Sequence, residues 1–221
     1  MLGISGGTDS LAMAYLLGEH SHRLREPLQL AAVHVRLDAD GATDALPEAT
    51  VRWLGLRDIE LFEVEGRLDG SEELPLDCFA CARARRRTLL ETADERGVSL
   101  VALGHHADDV VETWLLSLMY TGTPEVIPPV RSYFDGAVTV VRPLYELQRR
   151  ELARLARLAD FPRPPARCRR EDEARREKVR KALSALGRDQ SLVRRHLYWA
   201  AVREYSGTET GTGTGSTFEE E

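Results

Sequence analysis

Three short stretches of this sequence carry residues able to do chemistry. Ser5-Gly6-Gly7-Thr8-Asp9-Ser10 sets two adjacent glycines, a carboxylate and hydroxyls before a run of helix formers, Leu11 to Glu19. Glycine lets backbone approach a ligand closely and tolerates φ > 0. Amide N–H groups at a loop-to-helix junction attract anions, phosphates among them. The plain alternative is an ordinary turn ahead of a well-started helix. Gly104-His105-His106-Ala107-Asp108-Asp109, continued by Val-Val-Glu112-Thr113, opens a second helix with two adjacent carboxylates. That placement suits the positive end of a helix dipole, and simple capping would explain it equally well. Cys78 and Cys81 form a C-x-x-C pair, and Cys168 completes the three cysteines. Two thiols one turn apart at a helix start suit one metal or a disulfide; structural zinc, redox pairing and chance spacing all stay open for such a pair.

The elements that must position these residues follow from periodicity. Leu28 to Val35 and Val98 to Leu103 are nearly continuous apolar runs, as expected of strands buried on both faces. Asp58 to Val64 alternates and reads as a strand nearer an edge, and Val138 to Val141 as a further short strand. Helices are expected around 47–54, over 80–96 with Gly97 as the stop, from 104 to about 120, and over 146–159. Only Met1 to Ile4 precede the first loop, so strand 1 is short or native residues precede Met1. Strands alternating with helices predict an α/β fold with a doubly wound, mostly parallel sheet and a small C-terminal helical extension. Ligands bind such sheets beyond the carboxyl ends of the strands. The first two stretches are therefore expected to face one another. His34, within the strand 28–35, is placed among the nucleotide-binding candidates with a structural role as its alternative; His196 is read as structural.

Composition narrows the classes. The chain has 221 residues, 43% of them hydrophobic, enough for one packed core with an appendage. A formal net charge of −6 excludes a uniformly basic nucleic-acid binder but leaves room for a local basic patch. No apolar run is long enough to span a membrane, and no leader pattern precedes the glycine loop, so a cytoplasmic location is expected. The expected organisation is a nucleotide-binding domain over 1–160, a basic helical extension over 161–205, and a Gly/Thr-rich, acidic disordered tail over 206–221.

Neither a Walker motif nor a dinucleotide fingerprint is present. Ser-Gly-Gly-x-Asp-Ser after a strand instead resembles the PP-loop of the ATP pyrophosphatases, which adenylate a substrate and release pyrophosphate. Gly-His-x-x-Asp-Asp-x-x-Glu-Thr resembles the second signature of PP-loop enzymes that act on tRNA. The segment Cys78-Phe-Ala-Cys81-Ala-Arg-Ala-Arg85-Arg86-Arg87 narrows the likeness to the 2-thiocytidine synthetases of tRNA. Lysidine synthetases, more distant relatives, lack this pair. The resemblance covers roughly residues 2 to 168, including Arg142-Pro143-Leu144 and Phe161-Pro162.

The resemblance implies a set of roles. Ser5, Gly6, Gly7, Thr8, Asp9 and Ser10, with His34, Gly104 and His105, would hold ATP. Asp9, Asp108 and Asp109 would be catalytic carboxylates, one of them on Mg²⁺, and Arg85, one turn beyond Cys81, a further catalytic candidate. Thr8 stands where some relatives carry a lysine. Cys78, Cys81 and Cys168 would hold an iron–sulfur cluster of the 4Fe-4S type through three thiolates, leaving one iron open. Relatives often have two cysteines in the last segment, and Ala166 lies near the place of the first. Three thiolates are too few for a structural Cys₄ zinc site or a closed cluster.

The implied reaction is ATP-dependent thiolation of a cytidine in the tRNA anticodon loop, at position 32. Its 2-oxygen is adenylated and replaced by cluster-bound sulfide that comes from a cysteine desulfurase or from free sulfide. A homodimer is compatible with this and a membrane is not required. The basic run from Arg163 to Lys181, nine Lys/Arg against four acids, and Arg83 to Arg87 would form a positive rim for RNA. The C-terminal helix, 192–199, would extend that surface or pack on the core. The alternatives are a 2-thiouridine synthetase, whose extra terminal cysteines are absent here, a lysidine-synthetase-like adenylating enzyme, and a non-enzymatic nucleotide or redox sensor.

Overall fold

The computed structural model describes residues 1–37, 45–68, 76, 78–165, 175–186 and 190–209. They form two compact units: Met1–Ala107 with Pro129–Ala174, and Asp108–Pro128 with Arg175–Glu221.

The first unit holds the sheet. Its strands are β1 (Leu2–Gly3), β2 (Ala31–Arg36), β3 (Glu60–Glu65), β4 (Leu100–Ala102), β5 (Val130–Tyr133) and β6 (Val138–Val141). Their order is β3-β2-β1-β4-β6-β5. Pairing is parallel from β3 through to β6, and only β5 runs antiparallel, as the edge strand of a hairpin with β6. The order reverses between β1 and β4, so the switch point falls where the chain leaves these two strands.

Helices α1 (Thr8–Ser21), α2 (Glu48–Gly55) and α5 (Arg149–Leu158) pack on one face through Leu11, Met13, Leu54 and Leu152, against Leu2, Ile4 and Ala32. Helix α3 (Cys78–Glu95) covers the other face, where Leu89 and Leu90 meet Val33, Val101 and Val140. In β2, Ala32 belongs to one core and Val33 to the other, the period-two alternation of a strand buried on both sides. The first two turns of α1 are buried at five successive positions, Ser10 to Ala14, so this helix is apolar around much of its circumference.

The second unit contains α4 (Ala107–Tyr120), which begins in the first unit, with α6 (Arg175–Ala185) and α7 (Gln190–Glu209). Within this unit the acids of α4 pair with arginines of α6 and α7. Helix α7 also takes in residues 206–209, the beginning of the expected tail; residues 210–221 lie outside the described residues. Among the described residues no helix is long and apolar enough to cross a membrane.

Candidate functional site

The Ser-Gly-Gly loop turns directly from β1 into α1. Gly7 is the N-cap, and Leu11 N–H makes the first helical bond, to the Gly7 carbonyl at 3.2 Å. The amides of Thr8, Asp9 and Ser10 therefore precede any helical acceptor and point out of the N-terminus, with the positive end of the dipole behind them. The serines shape the loop. Ser10 Oγ donates to the Gly7 carbonyl at 2.9 Å, Ser5 Oγ lies 3.3 Å from Ser10 Oγ, and Gly7 N–H donates to Ser5 Oγ at 3.3 Å. Gly6 has φ +76, and a Cβ there would meet Leu46 at 2.7 Å and Pro165 at 3.1 Å. Glycine is needed at this position for the turn and for its protein neighbours.

His34 reaches the same loop from β2. Its buried ring donates from Nδ1 to the Ile4 carbonyl at 2.8 Å, a contact that fixes the point where β1 becomes the loop.

The second signature arrives from β4. A Cβ on Gly104 would lie 2.9 Å from the Asp9 carbonyl oxygen and 3.0 Å from Ser10 N, so only glycine allows this backbone against the first turn of α1. His106, fully buried, sets Nε2 3.5 Å from Asp9 Oδ2, while the Asp9 side chain keeps 41% of its surface exposed. His105 is half-buried. The two signatures thus meet at the carboxyl ends of β1 and β4, as the strand pattern predicts. His106 is the contact that the sequence reading missed. Two histidines in a row gave no sign of which faced the loop. Ala107 N–H, first in α4, donates to the Leu147 carbonyl at 2.9 Å, so the segment after Arg142-Pro143-Leu144 caps this helix. Burial lowers the pKa of the Arg142 guanidinium; Tyr133 counters that, and the positive charges of Arg86 and Arg131 reinforce it.

In the second unit, Asp108, Asp109 and Glu112 are all buried on α4. Arg194 of α7 donates to Asp108 at 2.8 Å, Arg180 Nε of α6 reaches both Glu112 oxygens at 3.0 and 3.1 Å, and Arg176 Nη1 is 4.0 Å from Asp109. Burial acts to lower the Arg180 pKa. It is outweighed by the hydrogen bonds and charge of Glu112, with Asp109 and Glu177 adding, and the net shift is upward. Arg175 lies over the Tyr120 ring at 4.5 Å. Arg175, Arg176 and Arg180 belong to the run expected to form an RNA rim, and the structure turns them toward α4 instead. Their spacing carried a signal: Arg176 and Arg180 repeat at i, i+4, and Asp109 and Thr113 do the same on α4.

Cys78 and Cys81 occupy the first turn of α3. Cys78 is exposed, and Cys81 packs beside the buried cluster of Leu37, Leu76 and Ala84. Leu37 directly follows β2, so this end of α3 lies at the carboxyl edge of the sheet. Soft donors three residues apart, on an accessible first turn, fit an iron–sulfur cluster or another thiophilic metal. Arg85, half-buried, stands four residues beyond Cys81 on the same side of the helix. Cys168 lies outside the described residues. The segment leading to it is anchored, since Phe161 packs its ring 5.7 Å from Tyr15 and 5.3 Å from Trp53. Pro165, three residues before Cys168, packs against Gly6.

Comparison with known proteins agrees with this geometry. The PP-loop domain family matches residues 1–185. The tRNA-cytidine(32) 2-sulfurtransferase of Anaeromyxobacter dehalogenans (strain 2CP-C) is 33% identical over 205 residues, covering 90% of this chain and 70% of that protein. The protein of the same name from Cupriavidus pinatubonensis is 32% identical over 193 residues, 84% of this chain and 61% of its own. Among solved structures, the U34-tRNA thiolase NcsA from Methanococcus maripaludis with its [4Fe-4S] cluster superposes with a TM-score of 0.73, at 21% identity, over 99% of this chain and 75% of that one. At that identity the likeness concerns the fold. The family match over residues 1–185 and the 33% identity to a relative covered over 70% of its length show that the chain belongs to the PP-loop family, in the group of the tRNA-cytidine(32) 2-sulfurtransferases.

Proposed function

We propose that this chain is an ATP-dependent tRNA sulfurtransferase that replaces the C2 oxygen of an anticodon-loop cytidine, at position 32, with sulfur. The observation that carries the reading is the packing of Gly104 and His106 on Asp9 and Ser10, which sets a phosphate-type loop and the second signature together at the switch point. In the reaction, the cytidine 2-oxygen attacks the α-phosphorus of ATP, the bond to the β-phosphate oxygen breaks and pyrophosphate leaves. Sulfur then bonds to C2, the C2–O bond breaks, and AMP carries the oxygen away. Activation by AMP converts a poor leaving oxygen into a good one.

The chain's own groups divide these tasks. The amides of Thr8, Asp9 and Ser10 bind phosphate oxygens and stabilise the charge that develops on them. The Asp9 carboxylate, 3.5 Å from His106 Nε2, is a hard oxygen donor suited to Mg²⁺ beside the phosphates. Asp108 and Asp109, the carboxylates of the second signature, are the further catalytic candidates that the family resemblance implies. Cys78, Cys81 and Cys168 would hold an iron–sulfur cluster, which supplies sulfide when bound. Arg85 would approach the same pocket from the thiolate side of α3.

Nucleoside mass spectrometry of tRNA from cells lacking the gene tests this reading. 2-Thiocytidine is expected to disappear, to return with the wild-type gene and to stay absent with Asp9→Ala. Undiminished 2-thiocytidine in the deletion strain would overturn it.

A further inference from the structure

Helix α3 obeys its apolar periodicity along most of its length. Ala84, Leu89, Leu90 and Ala93 are buried, and the one large apolar side chain of this helix that is not is Phe79, 75% exposed between the two cysteines. Its neighbours on the helix surface, at i+3, i+4 and i+7, are Ala82, Arg83 and Arg86, and all three are exposed. The stripe therefore starts with an aromatic ring, continues through a small residue that leaves space, and ends in two guanidinium groups. Cys78, Cys81 and Arg85 occupy the adjoining side of the helix. Arg86 also lies close enough to Arg142 for its charge to act on that guanidinium, as the charge of Arg131 does. In a chain of formal net charge −6, this is a local concentration of positive charge beside an exposed ring.

We propose that the stripe Phe79-Ala82-Arg83-Arg86 binds an unpaired segment of the substrate RNA, with Phe79 stacking on a nucleobase and the arginines meeting the phosphates that follow. The inference rests on the tRNA reading above and names the residue that holds the base beside the thiolates. An aromatic face stacks on any unpaired base, whereas bases within a duplex already stack on each other, so the stripe selects loops over paired stems. The arginines add charge complementarity without sequence preference.

The test compares full-length wild type with Phe79→Ala, Phe79→Leu and Phe79→Tyr, using an anticodon-type stem–loop RNA and a fully paired hairpin of equal length. Phe79 is exposed, so thermal unfolding of the three variants should match wild type. Phe79→Ala and Phe79→Leu are expected to bind the stem–loop about tenfold more weakly. Phe79→Tyr should stay close to wild type, and all should share the salt dependence of wild type because no charge is removed. Equal binding by wild type and Phe79→Ala overturns the inference while leaving tRNA as the substrate. Full binding by Phe79→Leu overturns it too, since apolar bulk would then suffice. If wild type binds neither RNA above background, the tRNA reading itself falls, and this inference with it.

Discussion

Gly104→Ala is a single-methyl change whose consequences follow from the contact between the two signatures. The added Cβ would lie 2.9 Å from the Asp9 carbonyl oxygen and 3.0 Å from Asp9 C and Ser10 N, about half an ångström short of ordinary contact at 3.4 Å. Every atom it meets is backbone, so no side-chain rotation relieves the overlap. Either the Gly104 loop or the first turn of α1 must move. Overpacking of this kind costs about 1–3 kcal/mol. The same movement displaces the amides of Thr8 to Ser10 that are proposed to hold phosphate, so ATP affinity should fall at least about tenfold. Gly18→Ala is the matched control. It lies in α1, the helix that Gly104 packs against, a Cβ there meets nothing within 4 Å, and replacing a helical glycine by alanine gains roughly 0.5–1 kcal/mol. Urea unfolding and calorimetric ATP titration of both variants give the answer. Gly104→Ala with wild-type stability and wild-type ATP affinity would refute the packing argument.

Glu112 is fully buried against Arg180, so Arg180→Met or Glu112→Leu alone should destabilise the protein by about 3–5 kcal/mol, and the double variant Glu112→Leu/Arg180→Met by much less; urea unfolding of the three reads this difference. His34→Phe leaves the Ile4 carbonyl without its donor and should cost about 1–3 kcal/mol, with weaker ATP binding measured by titration, although the ring itself need not touch the nucleotide. Cys78→Ala, Cys81→Ala and Cys168→Ala should each lower the iron content and visible absorbance of anaerobically reconstituted protein; full iron in Cys168→Ala would remove it as the third ligand.

Much of this fold was legible because its signals are local. The continuous apolar runs around β2 and β4, and the Gly97 stop after α3, follow from periodicity and chain chemistry. The meeting of the Ser-Gly-Gly loop with Gly104 was legible because strand order alone places both at one edge. Strand β5 was missed although Asp135-Gly136 sits between Val130–Tyr133 and Val138–Val141, a recognised hairpin signal. The four-residue stretch carries little signal because an edge strand buries little and has no long apolar run. The roles of Arg176, Arg180 and Arg194 were not legible. A basic run reads alike whether it faces solvent, RNA or a buried carboxylate, and only the tertiary pairing with Glu112 and its neighbours decides. Gly6 shows the same limit: the motif assigns it to phosphate, while the structure shows Leu46 and Pro165 filling the space beside it, so a substitution there would disturb the loop itself.

The central claim is that the cytidine 2-oxygen becomes bonded to the α-phosphorus of ATP before sulfur displaces it. Isotope tracing reads this directly. Stem–loop RNA carrying ¹⁸O at C2 of the target cytidine would be incubated with the full-length protein, ATP, Mg²⁺ and sulfide, and the released AMP analysed by mass spectrometry. Transfer of one ¹⁸O into AMP for each 2-thiocytidine formed is the predicted result. Thiolated RNA accompanied by unlabelled AMP, or by ¹⁸O in inorganic phosphate, would contradict the account.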